Sequence, residues 1–321
     1  MRHRPPPGGF PEKCMAEPRL DSVTCVSPAG FHRMAYWEWG DPDNPRVVVC
    51  VHGLTRNGRD FDHLARRLAS RYRVVCPDVV GRGQSDWLLN PMHYTIAQYA
   101  SDMVTLLARL RPGTLSWVGT SMGGLIGLAL AGTLAMARQA HALQTHAGLP
   151  PAQELHFEHL VLNDVGPTLG RAALARISER VGVPQVFDTF EQAVEATKET
   201  CATFGPHTEA QWRELTEHGY MQLGGHWVRR YDLKIALALA AQASPEAFEA
   251  GEQLLWAAYT GLNCPVLVLR GAESDLLSAE TVEAMRRCHP RTETVSFPGV
   301  GHAPTLMSAE QIDPVARFLQ A

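Results

Sequence analysis

A chain of 321 residues with 45% hydrophobic and 19% charged side chains has the make-up of an ordinary folded protein with a large core, which excludes disorder as the expectation. Its 29 Lys and Arg against 33 Asp and Glu give a formal net charge of −4, so no general attraction to nucleic acid or to an anionic membrane is expected. Seven scattered cysteines without a Cys-x-x-Cys pair argue against a disulfide framework and a structural zinc site, and fit a reducing cytoplasm.

The amino terminus, Met1 to Pro11, is rich in proline and glycine and carries no apolar segment, so it does not read as a secretory signal. Residues 1–20 read as a loose arm. No run of eighteen apolar residues follows anywhere, which leaves no candidate membrane span. Val23 to Val26 and Met34 to Trp39 read as strands around the turn Pro28-Ala29-Gly30. Val47 to Val51 is a continuous apolar run, as expected of a strand covered on both faces, and the loop His52-Gly53-Leu54-Thr55-Arg56-Asn57-Gly58 follows it. Phe61 to Ser70 has helical spacing, and Tyr72 to Cys76 is the next buried strand. The turn Gly81-Arg82-Gly83-Gln84-Ser85 lacks the third glycine of a dinucleotide fingerprint and does not continue as a clean helix, so no nucleotide cofactor is expected. Thr95 to Leu110 is a helix with Tyr99, Met103, Leu106 and Leu110 on one face.

Leu115 to Val118 is a strand that turns abruptly at Gly119-Thr120-Ser121-Met122-Gly123 into a helix of small residues, running to about residue 140. Such a turn strains the serine backbone, exposes its hydroxyl at the edge of the sheet, and needs glycine on both sides because larger residues collide. Residues 141–156 read as an insertion loop, and Leu160 to Leu162 as a further strand closing with Asn163-Asp164. From residue 168 to 262 the pattern is helix after helix with no convincing buried strand, which suggests a cap. Strands resume at Val266 to Leu269, followed by Glu273-Ser274-Asp275, and at Thr294 to Phe297, followed by Gly301-His302 and a last helix from Ala309 to Leu319. Strands alternating with helices imply an α/β fold, a mostly parallel doubly wound sheet with an inserted helical cap. The core takes residues 21–164 and 263–321, and the cap residues 165–262.

In such a sheet ligands bind at the carboxyl ends of the strands, where Ser121, Asp275, His302 and the His52 loop all fall. A serine hydroxyl needs a base to take its proton, and a carboxylate to fix the tautomer of that base. Ser121, Asp275 and His302 supply nucleophile, carboxylate and base in that chain order, with Glu273 and Asp164 as competing carboxylates. Of the fourteen histidines, His302 stands out by its glycine-flanked place after the last strand, while His141, His146, His156 and His159 read as surface. Asp78 and Asp86 read as local braces of their turn.

Together, His52-Gly53, Asp78 with Gly81-x-Gly83-x-Ser85, Gly119-x-Ser121-x-Gly123, the strand before Asp275, and Gly301-His302 resemble the α/β-hydrolase superfamily. The resemblance covers roughly residues 30–135 and 260–321 and leaves the cap unmatched. It implies an oxyanion hole made by the backbone N–H groups of Leu54 and Met122, with His52 shaping the loop. A serine nucleophile favours an acyl-serine route over an alkyl-aspartyl one, so a serine carboxylesterase acting on a small-molecule ester is expected, with no metal and no organic cofactor. More narrowly, Val51 to Gly58, Pro77 to Gly83 and Asp164 to Pro167 are similar to bacterial intracellular esterases, some of which act on short hydroxyalkanoate oligomers. His52, Gly53, Arg56 and Asn57 are candidate substrate contacts, the last two for an acyl-chain carboxylate or hydroxyl, with plain loop hydrogen bonding as the alternative. Trp212, Met221, Trp227, Tyr231 and Trp256 are candidate pocket walls from the cap, Trp227 and Tyr231 among them as candidate substrate contacts, with packing of the cap against the core as the alternative. The same three side chains also serve cleavage of a carbon–carbon bond in a vinylogous diketone or the opening of a lactone, and a non-catalytic ligand sensor is the reading from another class. The sequence leaves self-association open.

Overall fold

Alternating exposure along Arg19–Ser27 (β1) and Gly30–Trp39 (β2) makes an antiparallel hairpin with one face on the core. Arg46–Val51 (β3) is buried on both faces, and its pleat sends Val47, Val49 and Val51 into one hydrophobic cluster and Val48 and Cys50 into another. Asp62–Leu68 (α1) follows, then Arg73–Pro77 (β4), Ile96–Leu110 (α2), Thr114–Thr120 (β5), Met122–Gln144 (α3) and Phe157–Asn163 (β6). The remaining core elements are Val266–Gly271 (β10), Ala279–Cys288 (α9), Thr292–Phe297 (β11) and Ala309–Phe318 (α10). These details come from a computed structural model that describes residues 17–144 and 155–321. Residues 1–16 of the expected arm and 145–154 of the expected insertion loop lie outside the described residues, while residues 19 and 20 already belong to β1.

The described strands form an eight-stranded sheet in the order β1-β2-β4-β3-β5-β6-β10-β11, antiparallel only where β2 pairs with β1 and with β4. Helices α2 and α3 cover one face through Tyr99, Met103, Leu106, Ile126 and Leu130. Helices α1 and α10 cover the other through Leu64, Leu68, Ile312 and Val315. Thr95 starts α2 by accepting the Gln98 N–H at 3.2 Å, and Arg111 stops it with a left-handed backbone.

Between β6 and β10 lie Arg171–Arg180 (α4), Val186–Phe187 (β7), Phe190–Thr200 (α5), Glu209–Gly219 (α6), Tyr220–Leu223 (β8), His226–Arg229 (β9), Ile235–Ala241 (α7) and Pro245–Thr260 (α8). The five helices match the helical expectation, and α5 and α6 each begin with a capping box, Thr189 with Gln192 and Thr208 with Gln211. The expectation of helices alone is corrected: β7, β9 and β8 make a small antiparallel sheet. Its strands span only two to four residues and bury little, so they leave no apolar run to read. Gly224 and Gly225, both at positive φ, close its hairpin. No helix of the described residues is long and apolar enough to cross a membrane.

Candidate active site

Ser121 sits between β5 and α3 with a φ of 52°, and its N–H donates to the Asn163 carbonyl at 2.9 Å. Its own carbonyl already accepts from the N–H groups of Gly124 and Leu125, so strand becomes helix within one residue. A Cβ on Gly119 would lie 2.4 Å from the Gly123 backbone, and one on Gly123 only 1.9 Å from the Val51 carbonyl oxygen. Both glycines are therefore required by close backbone approach.

His302, in the loop after β11, faces this serine: its Nε2 is 2.9 Å from Ser121 Oγ and its Nδ1 is 2.7 Å from Asp164 Oδ2. Because the carboxylate accepts, Nδ1 carries the proton and Nε2 is free to accept from the serine hydroxyl. Asp164 follows β6, is wholly buried, and also accepts from the Gly271 N–H at 2.9 Å and the Ser274 hydroxyl at 2.6 Å. The carboxylate on His302 is thus Asp164, and the expectation of Asp275 is corrected. Strand β6 lies between β5 and β10, so the residue leaving β6 ends beside Ser121, and from the loop after β10 it is Ser274 that points inward. Asp275 points out, half exposed, and pairs with Arg176 at 2.6 Å; Glu273 is exposed as well.

Asn163 is a member of the site that sequence reasoning missed. Its buried amide donates to Thr120 Oγ1 at 2.9 Å and to the Pro304 carbonyl at 2.8 Å, tying the serine turn to the histidine loop. Thr203 braces that loop from the segment between β6 and β10: its carbonyl accepts from the Gly301 N–H at 2.6 Å and its hydroxyl donates to the His302 carbonyl at 3.2 Å. The only forward signal for Asn163 was its place at the end of a strand.

The loop after β3 completes the site. His52 has no exposed surface; its Nδ1 donates to the Gly53 carbonyl at 2.7 Å and its Nε2 accepts from the Val79 N–H at 2.9 Å. Burial pushes its pKa down to about 3, so a neutral ring holds both bonds. Arg82, also buried, donates to the carbonyls of Leu54 at 2.9 Å and Val80 at 2.8 Å and to the Tyr99 hydroxyl at 2.9 Å, and reaches Met122 Sδ at 3.5 Å. One guanidinium therefore joins Leu54 to Met122. Arg56 is held by Asp60 in a double hydrogen bond and by the Leu215 carbonyl at 3.1 Å. Asn57 accepts from the Arg59 N–H and donates to the His218 carbonyl.

A cavity of about 170 Å³ opens over Ser121 and His302, with Gly53, Leu54, Arg56 and Tyr231 among its walls. Three of the expected substrate contacts therefore line it, Gly53, Arg56 and Tyr231, whereas His52, Asn57 and Trp227 do not. His52 and Asn57 are consumed in loop hydrogen bonds, and Trp227 packs on Phe190 with ring centres 4.9 Å apart. Trp212, Met221 and Trp256 are likewise absent from its walls. His159, expected at the surface, is buried against Phe318. Among the described residues, two groups of side chains have the proximity of metal ligands, Cys25 with His32 and Asp102, and Asp62 with Glu214 and His218. Asp102 already bonds His32, Asp62 already bonds Arg59, and none of the six lines the cavity.

Residues 48–318 match the family model described as alpha/beta hydrolase family. The chain belongs to the alpha/beta hydrolase family. Among its relatives, a 3-hydroxybutyrate-oligomer hydrolase of Cupriavidus necator is 47% identical over 307 residues, which cover 94% of this chain and 98% of that one. A 2-(acetamidomethylene)succinate hydrolase of Mesorhizobium japonicum is 27% identical over 86% of this chain and 88% of its own. Among solved structures, an alpha/beta hydrolase from Novosphingobium aromaticivorans superposes with a TM-score of 0.78 at 35% identity, covering 95% of this chain and 99% of its own. In this hydrolase the parallel strands β3, β5, β6, β10 and β11 bring His52, Ser121, Asp164, Ser274 and His302 to one edge of the sheet.

Proposed function

We propose that the chain is a serine esterase that hydrolyses oligomers of 3-hydroxybutyrate. The hydrogen-bonded series Ser121–His302–Asp164 opening into the cavity carries the reading, in a chain 47% identical along nearly its whole length to a hydrolase named for that substrate. The Ser121 hydroxyl attacks the ester carbonyl while His302 Nε2 takes its proton, and the His302 ring returns that proton to the departing alkoxide. Water, deprotonated by His302 in turn, then releases the acyl group from Ser121. Asp164 holds the ring orientation and balances the imidazolium.

The oxyanion of each tetrahedral intermediate is received by the N–H groups of Met122 and Leu54. Met122 is the first residue of α3, so its N–H has no acceptor within the helix. Leu54 follows Gly53, where a Cβ would stand only 3.8 Å from Ser121 Cβ. Residues 165–262 act as a cap that closes the cavity above the serine with Ile177, Val181 and Leu215. The cytoplasm is the proposed setting, supported by six unpaired cysteines among the described residues.

Defined 3-hydroxybutyrate dimers and trimers test the reading, with monomer release followed by chromatography and fluorophosphonate labelling located by mass spectrometry. Ser121 is the expected labelled residue, and Ser121→Ala is expected to lose both label and turnover. Wild-type hydrolysis by that variant would sink the mechanism.

A further inference from the structure

The cavity over Ser121 is lopsided in charge. Four arginines, Arg56, Arg176, Arg180 and Arg229, share its walls with one acid, Asp60. Arg56 is neutralised by Asp60, and Arg176 by Asp275. Arg180 and Arg229 remain without a carboxylate partner among the described residues. Arg229, at the end of β9, lies over the Tyr220 ring at 4.6 Å, and its guanidinium donates to no side chain or carbonyl among the described residues. Arg180, at the end of α4, offers Nη1 to the Thr200 carbonyl at a long 3.4 Å.

These two side chains also wall a second cavity of about 250 Å³, so they stand where the catalytic cavity meets the outer one. Glu199 lies on the outer wall, exposed, and pairs with neither arginine among the described residues. Burial pushes the Cys201 thiol up, Asp60 acts in the same direction, and the guanidiniums of Arg56, Arg229 and Arg180 act against it. With Arg56 paired to Asp60, Arg229 and Arg180 are the two cations on this wall without a carboxylate among the described residues. A guanidinium that faces a cavity and lacks an internal acceptor is ready to take a carboxylate through two parallel hydrogen bonds.

We infer that Arg229 and Arg180 form a carboxylate clamp that selects anionic esters and holds the carboxyl end of the substrate. The inference deepens the esterase reading and rests on it. An oligomer of a hydroxy acid has one free carboxylate, and whichever ester bond is cut, that carboxylate stays on the alcohol fragment. The clamp is therefore a leaving-group subsite at the cavity mouth. The acyl fragment, with its hydroxyl end, stays on Ser121, and the clamped fragment is the first product to leave.

The test pairs each 3-hydroxybutyrate dimer and trimer with its methyl ester, which keeps the scissile bond and removes the charge. For the wild type we expect kcat/KM to favour the free acid by about tenfold or more, as charge-assisted hydrogen bonds allow, and the ratio to fall as salt rises. In Arg229→Gln the ratio should collapse toward one, with Arg229→Lys recovering part of it, and Arg180→Gln should shift it less. Thermal melts check that each variant folds. Equal use of acid and methyl ester by the wild type, or an unchanged ratio in Arg229→Gln, would overturn the clamp and leave the esterase standing. Should neither compound be turned over, the esterase reading fails instead. The clamp is then read by calorimetric titration of the wild type with the same pair, where equal affinity overturns it and preferential binding of the free acid sustains it.

Discussion

At the scale of single residues, the carboxylate of the site separates two aspartates that follow strands in the same way. Asp164 is wholly buried and bonded to His302, Ser274 and Gly271, whereas Asp275 has a half-exposed side chain on Arg176. Asp164→Asn should leave the fold in place but let Nδ1 lose its acceptor, lowering kcat by about 10⁴-fold, as a wrong tautomer does in serine hydrolases. Asp275→Asn breaks only an exposed ion pair, worth about 1 kcal/mol at most, and should change kcat less than about twofold. Steady-state kinetics on one ester decides between them, and the reverse pattern would restore Asp275. Ser121 and His302 were legible because a strained turn needs flanking glycines and a loop histidine after the last strand has few other uses. The third member was not, since strand order in space, which brings β6 between β5 and β10, is invisible along the chain. Asn163 and Arg82 escaped for a related reason: their partners Pro304, Leu54 and Met122 are distant in sequence.

At the scale of elements, the site depends on how closely α3 can approach β3. The Gly123 position touches the Val51 carbonyl, and backbone on both sides cannot step aside. Gly123→Ala should therefore displace the start of α3, costing about 3 kcal/mol or more of stability and carrying Met122 and Ser121 out of register. Denaturant unfolding with parallel ester kinetics would read both losses; a variant with wild-type midpoint and turnover would refute the close-approach argument. Strands β3, β4 and β10 were readable because each is mostly a buried apolar run, and α2 because its apolar face repeats at helical spacing. The sheet of β7, β9 and β8 was not readable from burial, since its residues are mostly exposed or half-buried. Its one local sign, Gly224-Gly225 between Leu223 and His226, is a two-residue hairpin loop. That hairpin matters to the site, because it carries Arg229 to the cavity.

At the scale of the whole molecule, buried titratable groups link the catalytic loops to the region between β6 and β10 and make stability depend on pH. Burial holds His52 at about 3 and His218 at about 4, with nearby arginines acting in the same direction. Both lie below the usual value of about 6.5. The unfolded chain therefore binds more protons than the folded one as pH falls below about 6.5, and stability drops. Asp78 works the other way: burial raises it to about 6, against the opposing N–H bonds of Gln84 and Gly58. Its contribution grows as pH falls from about 6 toward the usual carboxylate range. Burial raises Asp62 too, although Arg59 and Arg66 oppose the shift, while His159, His207 and His289 are lowered by burial and side with His52. At about 1.4 kcal/mol per unit for each group, the two deeply shifted histidines outweigh Asp78 by about 2 to 3 kcal/mol between pH 7.5 and pH 5. Scanning calorimetry should show Tm falling by about 5 °C over that interval. A flat or rising Tm would mean that His52 and His218 charge within the fold, and the neutral His52 that braces the Gly53–Leu54 loop through Gly53 and Val79 would have to be abandoned.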